Sequence, residues 1–286
     1  MTRPRTVLVT GAGGKTGRAV CAALARRGAA PRAFVRTPDR VADLDLPGLE
    51  VATGDQRRVD DLVAALDGVD AVYAIAPNVS LDEIDMGAAI VAACQRAGVG
   101  RLVFHSVIHP QLTDMPHHTD KARVEERLIA SGLAWTILQP NVYLQNLAGY
   151  ADTIRDGRYE VPYAAAARLA MVDLDDVAEV AARCLVDGLG VHATFELSGP
   201  AEVSPSDVAR RAAELLGHDV AVARQDPDVW AAGPGADLPD ANRTRLLAMF
   251  RDYDRHGSPG DATVLTAILG RPPGDLDTYL ATFLTT

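Results

Sequence analysis

The sequence predicts an α/β fold, a doubly wound parallel sheet with a small, mostly helical C-terminal lobe. Three observations support this prediction. A β-branched run over residues 6–10 leads through a glycine cluster into a small-residue helix, and apolar runs over 70–76 and 101–107 lack the alternation of half-exposed strands. Helical segments separate the runs, and short loops join them. Strands that are buried on both faces and joined through helices belong to parallel sheets.

The glycine cluster is the first candidate site. Glycine removes bulk where a pyrophosphate must approach the first N–H groups of a helix, which carry the positive end of the helix dipole. Gly11, Gly14 and Gly17 stand three apart, a spacing that resembles the short-chain dehydrogenases/reductases. The segment therefore predicts an NAD(P)-binding Rossmann fold, the alternative being an ordinary strand-to-helix turn. The expected cofactor contacts in this turn are Gly11, Gly13, Gly14, Lys15, Thr16 and Gly17.

The end of the second predicted strand, residues 32–36, indicates which dinucleotide is bound. An acidic residue at this place usually holds the ribose of NAD, whereas Arg36 offers a planar guanidinium to a phosphate. No acidic residue follows before Asp39. The expected cofactor is therefore NADP(H). The alternative is that Arg36 is a solvated residue at the edge of the sheet.

The third predicted strand, residues 49–53, precedes Asp55 and Gln56. In the superfamily that the glycine turn resembles, an Asp at this point lies against the adenine. The resemblance thus implies a base contact for Asp55, with Gln56 beside it. Alternatively, Asp55 caps the helix that follows.

The next two strands end at further candidate residues. The run over 70–76 reaches Ala76 and Pro77, which should face the ribose and nicotinamide at the carboxyl edge of the sheet, and Asn78, a candidate for the substrate pocket. Ser106 ends the following strand, where members of the superfamily place a hydroxyl near the reacting oxygen. A serine at the end of a strand is alternatively a turn former.

His117 and Lys121 stand four residues apart, so they share one helix face if the helix over 120–131 already includes His117. The superfamily has Tyr-x-x-x-Lys at this place. With the glycine turn, Arg36 and the segment SGLAWTILQPNVYLQNL, this pair resembles the NmrA-like, atypical short-chain dehydrogenases, over essentially the whole chain. Relatives of that kind include quinone reductases, isoflavone-reductase-like enzymes and cofactor-sensing regulators.

The resemblance implies that Lys121 holds the nicotinamide ribose and that its charge eases proton donation to the reduced substrate. A hydride that reaches a carbonyl or enone carbon leaves an oxyanion or enolate, which must be protonated or neutralised. Histidine, with a free pKa of about 6.5, can donate near neutral pH without a neighbouring cation. His117 is therefore the candidate donor, and the alternative is a surface histidine at a helix start.

The composition changes after residue 150. Residues 1–150 are expected to form the nucleotide-binding domain, and 151–286 the remaining sheet elements with a substrate-binding lobe, as one structural unit. Tyr143, Asn146 and Tyr150 are candidate substrate-pocket residues, although Tyr143 is alternatively a core residue. Residues 172–176 are expected to form a short strand and the start of an Asp-capped helix that runs to Val186, and 226–240 is expected to be a loop over the pocket. Helices are predicted over 205–216, 241–254, 263–269 and 276–284.

Charge and cysteine content exclude several classes of protein. A net charge of −10 argues against a nucleic-acid-binding surface. The three cysteines lie in apolar helical contexts and are expected to be buried thiols in a reducing cytoplasm. His117 and His118 are adjacent and should splay apart on a helix, so no metal site is expected.

Targeting and membrane signals are not expected either. The first five residues are basic, but no signal-peptide core follows, and no apolar run approaches the about 20 residues of a membrane span. The sequence thus predicts a cytoplasmic protein, monomeric or homodimeric.

The leading hypothesis is an NADPH-dependent reductase of a small organic acceptor such as a quinone, enone or ketone. A non-catalytic NADP(H) sensor, which alone would need a protein partner, is the first alternative. An isomerase or cyclase that uses bound NADP(H) is the second.

Overall fold

The computed structural model describes residues 5–284 and divides into two compact units. The first unit contains residues 5–112, 117–139 and 177–195, and the second contains 113–116, 140–176 and 196–284. The first four residues of the basic N-terminal segment lie outside the described range. The functional division expected at residue 150 stays a prediction.

The strands of the described chain are β1 (Thr6–Thr10), β2 (Ala30–Val35), β3 (Glu50–Thr53), β4 (Ala71–Ala74), β5 (Arg101–His105), β6 (Ala134–Pro140), β7 (Arg158–Val161), β8 (Ala193–Leu197) and β9 (Ala221–Arg224). The helices are α1 (Lys15–Arg26), α2 (Val59–Ala65), α3 (Glu83–Ala97), α4 (Pro116–Ile129), α5 (Ala151–Arg155), α6 (Leu174–Val186), α7 (Pro205–Leu216), α8 (Pro227–Ala232), α9 (Asp240–His256), α10 (Thr263–Leu269) and α11 (Leu276–Leu284). Short 3-10 helices cover Pro38–Val41 and Leu144–Tyr150.

A seven-stranded sheet runs in the order β3-β2-β1-β4-β5-β6-β8. Each neighbouring pair from β3 to β6 is parallel. The chain moves outward from β1 to β3 and then returns to β4 on the other side of β1, so the strand order reverses between β1 and β4. This confirms the predicted doubly wound fold. In such sheets, ligands bind at the carboxyl ends of the strands beside the reversal point.

The core of the first unit follows from the apolar strands. All five residues of β1 are buried, as expected of a central parallel strand. The core of the first unit joins Leu8 of β1 with Phe34 of β2, Val72 of β4 and Leu102 of β5. The layer of buried side chains holds the strand ends, and the loops that follow them, in fixed positions.

The three cysteines are free and buried, as predicted. Burial raises the pKa of each thiol to about 12, mainly because the thiolate would lose its hydration. Cys21, Cys94 and Cys184 are therefore inert packing residues.

In the second unit, β7 and β9 form a two-stranded parallel sheet. Helix α7 begins with a serine cap: the Ser204 hydroxyl accepts the backbone N–H of Asp207 at 3.1 Å, and the Asp207 carboxylate accepts the Ser204 N–H in return. The core of this unit includes Leu144, Tyr159 and Leu280.

Several predicted elements are confirmed and others are wrong. Helices α10 and α11 have the predicted bounds. The segment 226–240 is not entirely loop, because Pro227–Ala232 is helical, with the Asp226 carboxylate accepting the Asp228 N–H at 2.7 Å. The strand expected at Val172 is an isolated bridge to Tyr143. The strands β7 and β9 had no sequence prediction, because each has only four residues, although those of β7 alternate between polar and apolar.

Within residues 5–284, no helix combines the length and the apolarity that crossing a membrane requires.

Candidate active site

The glycine turn joins β1 to α1 beside the reversal point of the sheet. Gly11 has a φ of 59°, and its carbonyl accepts the Gly14 N–H at 2.9 Å. A Cβ on Gly17 would lie 2.4 Å from the Gly11 carbonyl oxygen, so only glycine lets α1 pack this closely on the turn. The N-cap of α1 is Gly14, which offers no side-chain cap to the first N–H groups. This end of α1 therefore suits an anion.

The loop after β2 packs on the same turn. A Cβ on Gly13 would lie 2.9 Å from the Arg40 Cβ. Arg18 of α1 donates to the Arg40 carbonyl at 2.6 Å and to both oxygens of Asp43 at 2.8 and 2.9 Å. Arg36 follows the end of β2 and is exposed, as is Arg40. The sequence analysis missed Arg18, Arg40 and Asp43 because their contacts join separate elements.

The remaining two residues of the predicted turn differ in exposure. Lys15, the first residue of α1, is exposed, and Thr16 is buried. The turn thus presents one cationic side chain to solvent next to the uncapped helix start.

Two side chains tie the turn to the end of β4. The Thr10 hydroxyl donates to the Ile75 carbonyl at 2.9 Å and accepts the Ile75 N–H at 2.8 Å. With its amide oriented to satisfy both neighbours, Gln56 accepts the Gly11 N–H and donates to the Ile75 carbonyl, each at 3.2 Å. Gln56 therefore holds the glycine turn in place. Its predicted contact with the cofactor stays a prediction.

Asp55 forms an ion pair with Arg57. Its carboxylate accepts the Arg57 backbone N–H at 2.9 Å and the Arg57 guanidinium at 2.6 Å. These hydrogen bonds lower the pKa of Asp55 to about 2. The alternative that Asp55 caps α2 is wrong, because α2 begins after Arg58 with no side-chain cap. The predicted adenine contact of Asp55 stays untested.

Helix α4 begins at Pro116 and includes His117, so His117 and Lys121 do lie one turn apart on the same helix. Both His117 and His118 are buried. Their rings do not splay apart as expected: the centroids lie 4.6 Å apart at an interplanar angle of 84°. The edge of one ring meets the face of the other because both side chains pack inward. Among the described residues, no group of three or more His, Cys, Asp or Glu side chains is arranged to hold a metal ion.

Lys121 forms a buried ion pair. Its Nζ lies 2.9 Å from Glu83 Oε1 and donates to the His105 carbonyl at 3.1 Å. The ammonium also lies 5.3 Å from the ring centroid of Phe104. The side chains of Lys121 and Glu83 are only 14% and 4% exposed. The sequence analysis missed Glu83, since an acidic residue in the first turn of a helix is ordinary.

Buried histidines lie around this pair. Tyr73 and His105 are hydrogen-bonded through the phenol and Nδ1. Burial lowers the pKa of His105 to about 3, and the nearby Lys121 charge adds to the effect. Burial likewise lowers the pKa of His118 to about 4, and its Nδ1 lies 3.1 Å from the His109 carbonyl oxygen. Both rings are therefore neutral at neutral pH.

Ser106 follows β5 and is 2% exposed. Its backbone N–H donates to the Leu138 carbonyl at 2.8 Å, and its hydroxyl donates to the Glu125 carboxylate. The Gln139 amide donates to the same carboxylate at 2.9 Å. The hydroxyl is thus held by Glu125, one turn after Lys121 on α4.

The loop after β4 is strained. Ala76 is half-buried, whereas Pro77 and Asn78 are exposed. Val79 is buried and has a φ of 46°, which is rare for a β-branched residue. Such strain concentrates at functional sites.

A narrow, half-enclosed cleft of about 10 Å³ lies at the carboxyl edge of the sheet, within the first unit. Its lining includes Thr10, Gln56, Ala76, Glu83 and Phe104. The lining thus joins the end of β1, the end of β4 and the carboxylate that binds Lys121. The structure brings the glycine turn and the Lys121 pair to one edge of one sheet.

The predicted substrate residues Tyr143, Asn146 and Tyr150 lie in the second unit. Tyr143 and Tyr150 are half-buried and Asn146 is exposed. The Asn146 N–H donates to the Tyr143 carbonyl at 3.1 Å, and the Tyr150 ring meets that of Tyr159 edge to face at 5.3 Å. Burial raises the pKa of Tyr150. Their role in binding substrate stays a prediction.

Comparison with known proteins gives a consistent result. A model of the NmrA-like family matches residues 3–280. The chain is 31% identical to the NAD(P)H azoreductase of Xenophilus azovorans over 217 residues, 75% of each chain. It is 32% identical to the (4-alkanoyl-5-oxo-2,5-dihydrofuran-3-yl)methyl phosphate reductase of Streptomyces griseus over 216 residues, 74% of each chain.

Among solved structures, the NADPH-dependent quinone oxidoreductase of Escherichia coli in complex with NADPH matches with a TM-score of 0.85. The identity is 22%, and the match covers 96% of this chain and 99% of the other. This match establishes a shared fold.

Proposed function

The chain belongs to the NmrA-like family, and from that premise we propose that it is an NADP(H)-dependent reductase of a small organic acceptor, such as a quinone, enone or ketone. The single observation that supports this most is the glycine turn against an uncapped helix start at the reversal point of the sheet. The names of the relatives point the same way, since they are reductases that use NAD(P)H or NADPH or act on a conjugated lactone or quinone.

The residues present fit the dinucleotide. The space above Gly14 is open apart from the Gly11 carbonyl, and Gly17 leaves no side chain between α1 and the turn. The N–H groups of the first turn of α1 bind the pyrophosphate. Thr10 and Gln56 hold the backbone of the glycine turn in place, and so fix the position of these N–H groups.

Arg36 selects the cofactor. Its guanidinium is exposed after β2, where the 2′-phosphate of NADP(H) is bound in proteins of this fold. A guanidinium binds phosphate through paired, charge-assisted hydrogen bonds. We therefore expect NADPH to be preferred over NADH.

NADPH, when bound, would supply a hydride to the acceptor. Lys121 would hold the nicotinamide ribose, and its charge would favour the oxyanion that hydride addition leaves on the substrate. His117, one turn earlier on α4, delivers the proton. The ion pair with Glu83 and the bond to the His105 carbonyl keep the ammonium in place for this work.

Isotope transfer tests the proposed reaction. The purified protein is mixed with an enone or ketone and NADPH deuterated at C4 of the nicotinamide, in each of its two stereoisomers. Deuterium is expected at the reduced carbon of the product with one stereoisomer only. Binding of NADPH without consumption in the presence of every acceptor would contradict the reductase and favour the NADP(H) sensor.

A further inference from the structure

Glu83 is a carboxylate buried among apolar side chains. It begins α3, is 3% exposed, and lies in the lining of the cleft together with apolar neighbours such as Phe104 and Met86. A carboxylate in such surroundings is costly unless a cation and hydrogen-bond donors compensate for its lost hydration. Lys121 is the compensating cation, at 2.9 Å.

The ammonium of Lys121 is held from two directions. A lysine has three N–H donors. Among the described residues, one donor reaches Glu83 on α3 and a second reaches the His105 carbonyl at the end of β5. Two acceptors on separate elements fix the nitrogen in space and leave the third N–H for an acceptor from a ligand.

We propose that Glu83 is a positioning residue, which acts through Lys121 to hold the ammonium where it binds the cofactor. The inference rests on the proposed function. An ion pair with a purely stabilising role is seldom better than well-packed apolar residues of the same volume. Glu83 lies in the wall of the cleft, together with Thr10 and Ala76 of the cofactor edge, and Lys121 donates to it from α4. Its place in the cleft favours a role in binding.

The test is a double-mutant cycle on NADPH binding. The fluorescence of bound NADPH measures the affinity, and thermal unfolding checks that each variant is folded. The variants are Glu83→Gln, Lys121→Met and the double variant. Glu83→Gln keeps the size and an acceptor oxygen but removes the charge. If Lys121→Met does not fold, Lys121→Gln replaces it in the cycle, because glutamine also removes the cation but keeps N–H donors for Glu83.

The matched control is Glu126→Gln. Glu126 lies on α4 like Lys121, but it is exposed and pairs with Arg123 at 3.0 Å. A second control combines Glu83→Gln with Arg36→Ala, whose effects should add because the two residues share no partner among residues 5–284.

We expect Glu83→Gln to weaken NADPH binding about tenfold in the wild-type background and by less than about twofold in the Lys121→Met background. Glu126→Gln should bind as the wild type does. The positioning role would be overturned if Glu83→Gln bound NADPH as tightly as the wild type, or if it lost the same affinity in both backgrounds. In either case, weaker NADPH binding in Lys121→Met and Arg36→Ala would still support the proposed function. A wild-type protein that does not bind NADPH would overturn both.

Discussion

The ammonium of Lys121 and the carboxylate of Glu83 form a largely buried ion pair between α4 and α3, 2.9 Å apart. Because each charge depends on the other, replacing one of them leaves the other buried without compensation. The pair links the stability of the first unit to the residue proposed to bind the cofactor ribose.

Stability measurements on this pair should therefore be strongly non-additive. Lys121→Met is expected to lower the free energy of unfolding by about 3–5 kcal/mol, whereas Lys121→Met with Glu83→Gln should lose much less, since no unpaired charge stays buried. Urea denaturation of both variants measures the difference. With Glu83→Gln measured beside them, a loss in the double variant equal to the sum of the two single losses would show that the pair is not coupled.

Substitution in the glycine turn should affect both folding and binding. Gly17→Ala places a Cβ 2.4 Å from the Gly11 carbonyl oxygen, so the turn must shift. The free energy of unfolding should fall by about 1–3 kcal/mol, and NADPH binding should weaken with it. Gly100→Ala is the control, because a Cβ there meets no atom within 4 Å. An unchanged melting temperature in Gly17→Ala would refute the close packing.

The selectivity of the cofactor should depend on Arg36. Arg36→Ala is expected to weaken NADPH binding about 10- to 100-fold by removing charge-assisted hydrogen bonds to the 2′-phosphate, and to leave NADH binding unchanged. Calorimetric titration with both cofactors measures this. Arg123→Ala, another exposed arginine, is the control. Equal losses of affinity for NADPH and NADH in Arg36→Ala would show that Arg36 does not bind the 2′-phosphate.

Acid should destabilise the fold through His118. Its folded pKa is lowered to about 4, mainly by burial, against about 6.5 in the unfolded chain. As pH falls from about 6.5 to about 4, the unfolded chain binds a proton that the folded chain does not, and stability falls by up to about 1.4 kcal/mol per pH unit. His118→Asn should reduce this slope in denaturation at several pH values.

The control for this experiment is His218→Asn, because His218 is exposed in the folded protein. In His218→Asn, the change of the free energy of unfolding with pH should match that of the wild type. An equal slope in wild type and His118→Asn would show that His118 does not contribute to acid sensitivity.

The sheet could be predicted from sequence because its signals are local. A glycine cluster between a strand and a helix, and apolar runs without alternation, mark each βα unit independently. The shared helix face of His117 and Lys121 follows from a spacing of four residues. Helix α8 was also within reach, since Asp226 and Pro227 are a cap and a first-turn proline like Ser204 and Pro205.

The partners of the site residues were out of reach. Glu83 meets Lys121 across 38 positions of the sequence, and Ser106 meets Glu125 across 19. No periodicity encodes such pairs, because tertiary packing brings them together. Gln56 was expected only as the neighbour of Asp55 at the cofactor, and its amide also bridges the Gly11 N–H and the Ile75 carbonyl, a contact that depends on the ends of three strands meeting at one edge.

The most direct test of the account is the loss of reduced-nicotinamide absorbance when the purified protein is mixed with NADPH, or separately with NADH, and a panel of quinones, enones and ketones. We expect acceptor-dependent oxidation of NADPH that is faster than that of NADH, and much slower in His117→Gln. Tight NADPH binding without oxidation by any acceptor, or oxidation that does not depend on His117 and Lys121, would contradict it.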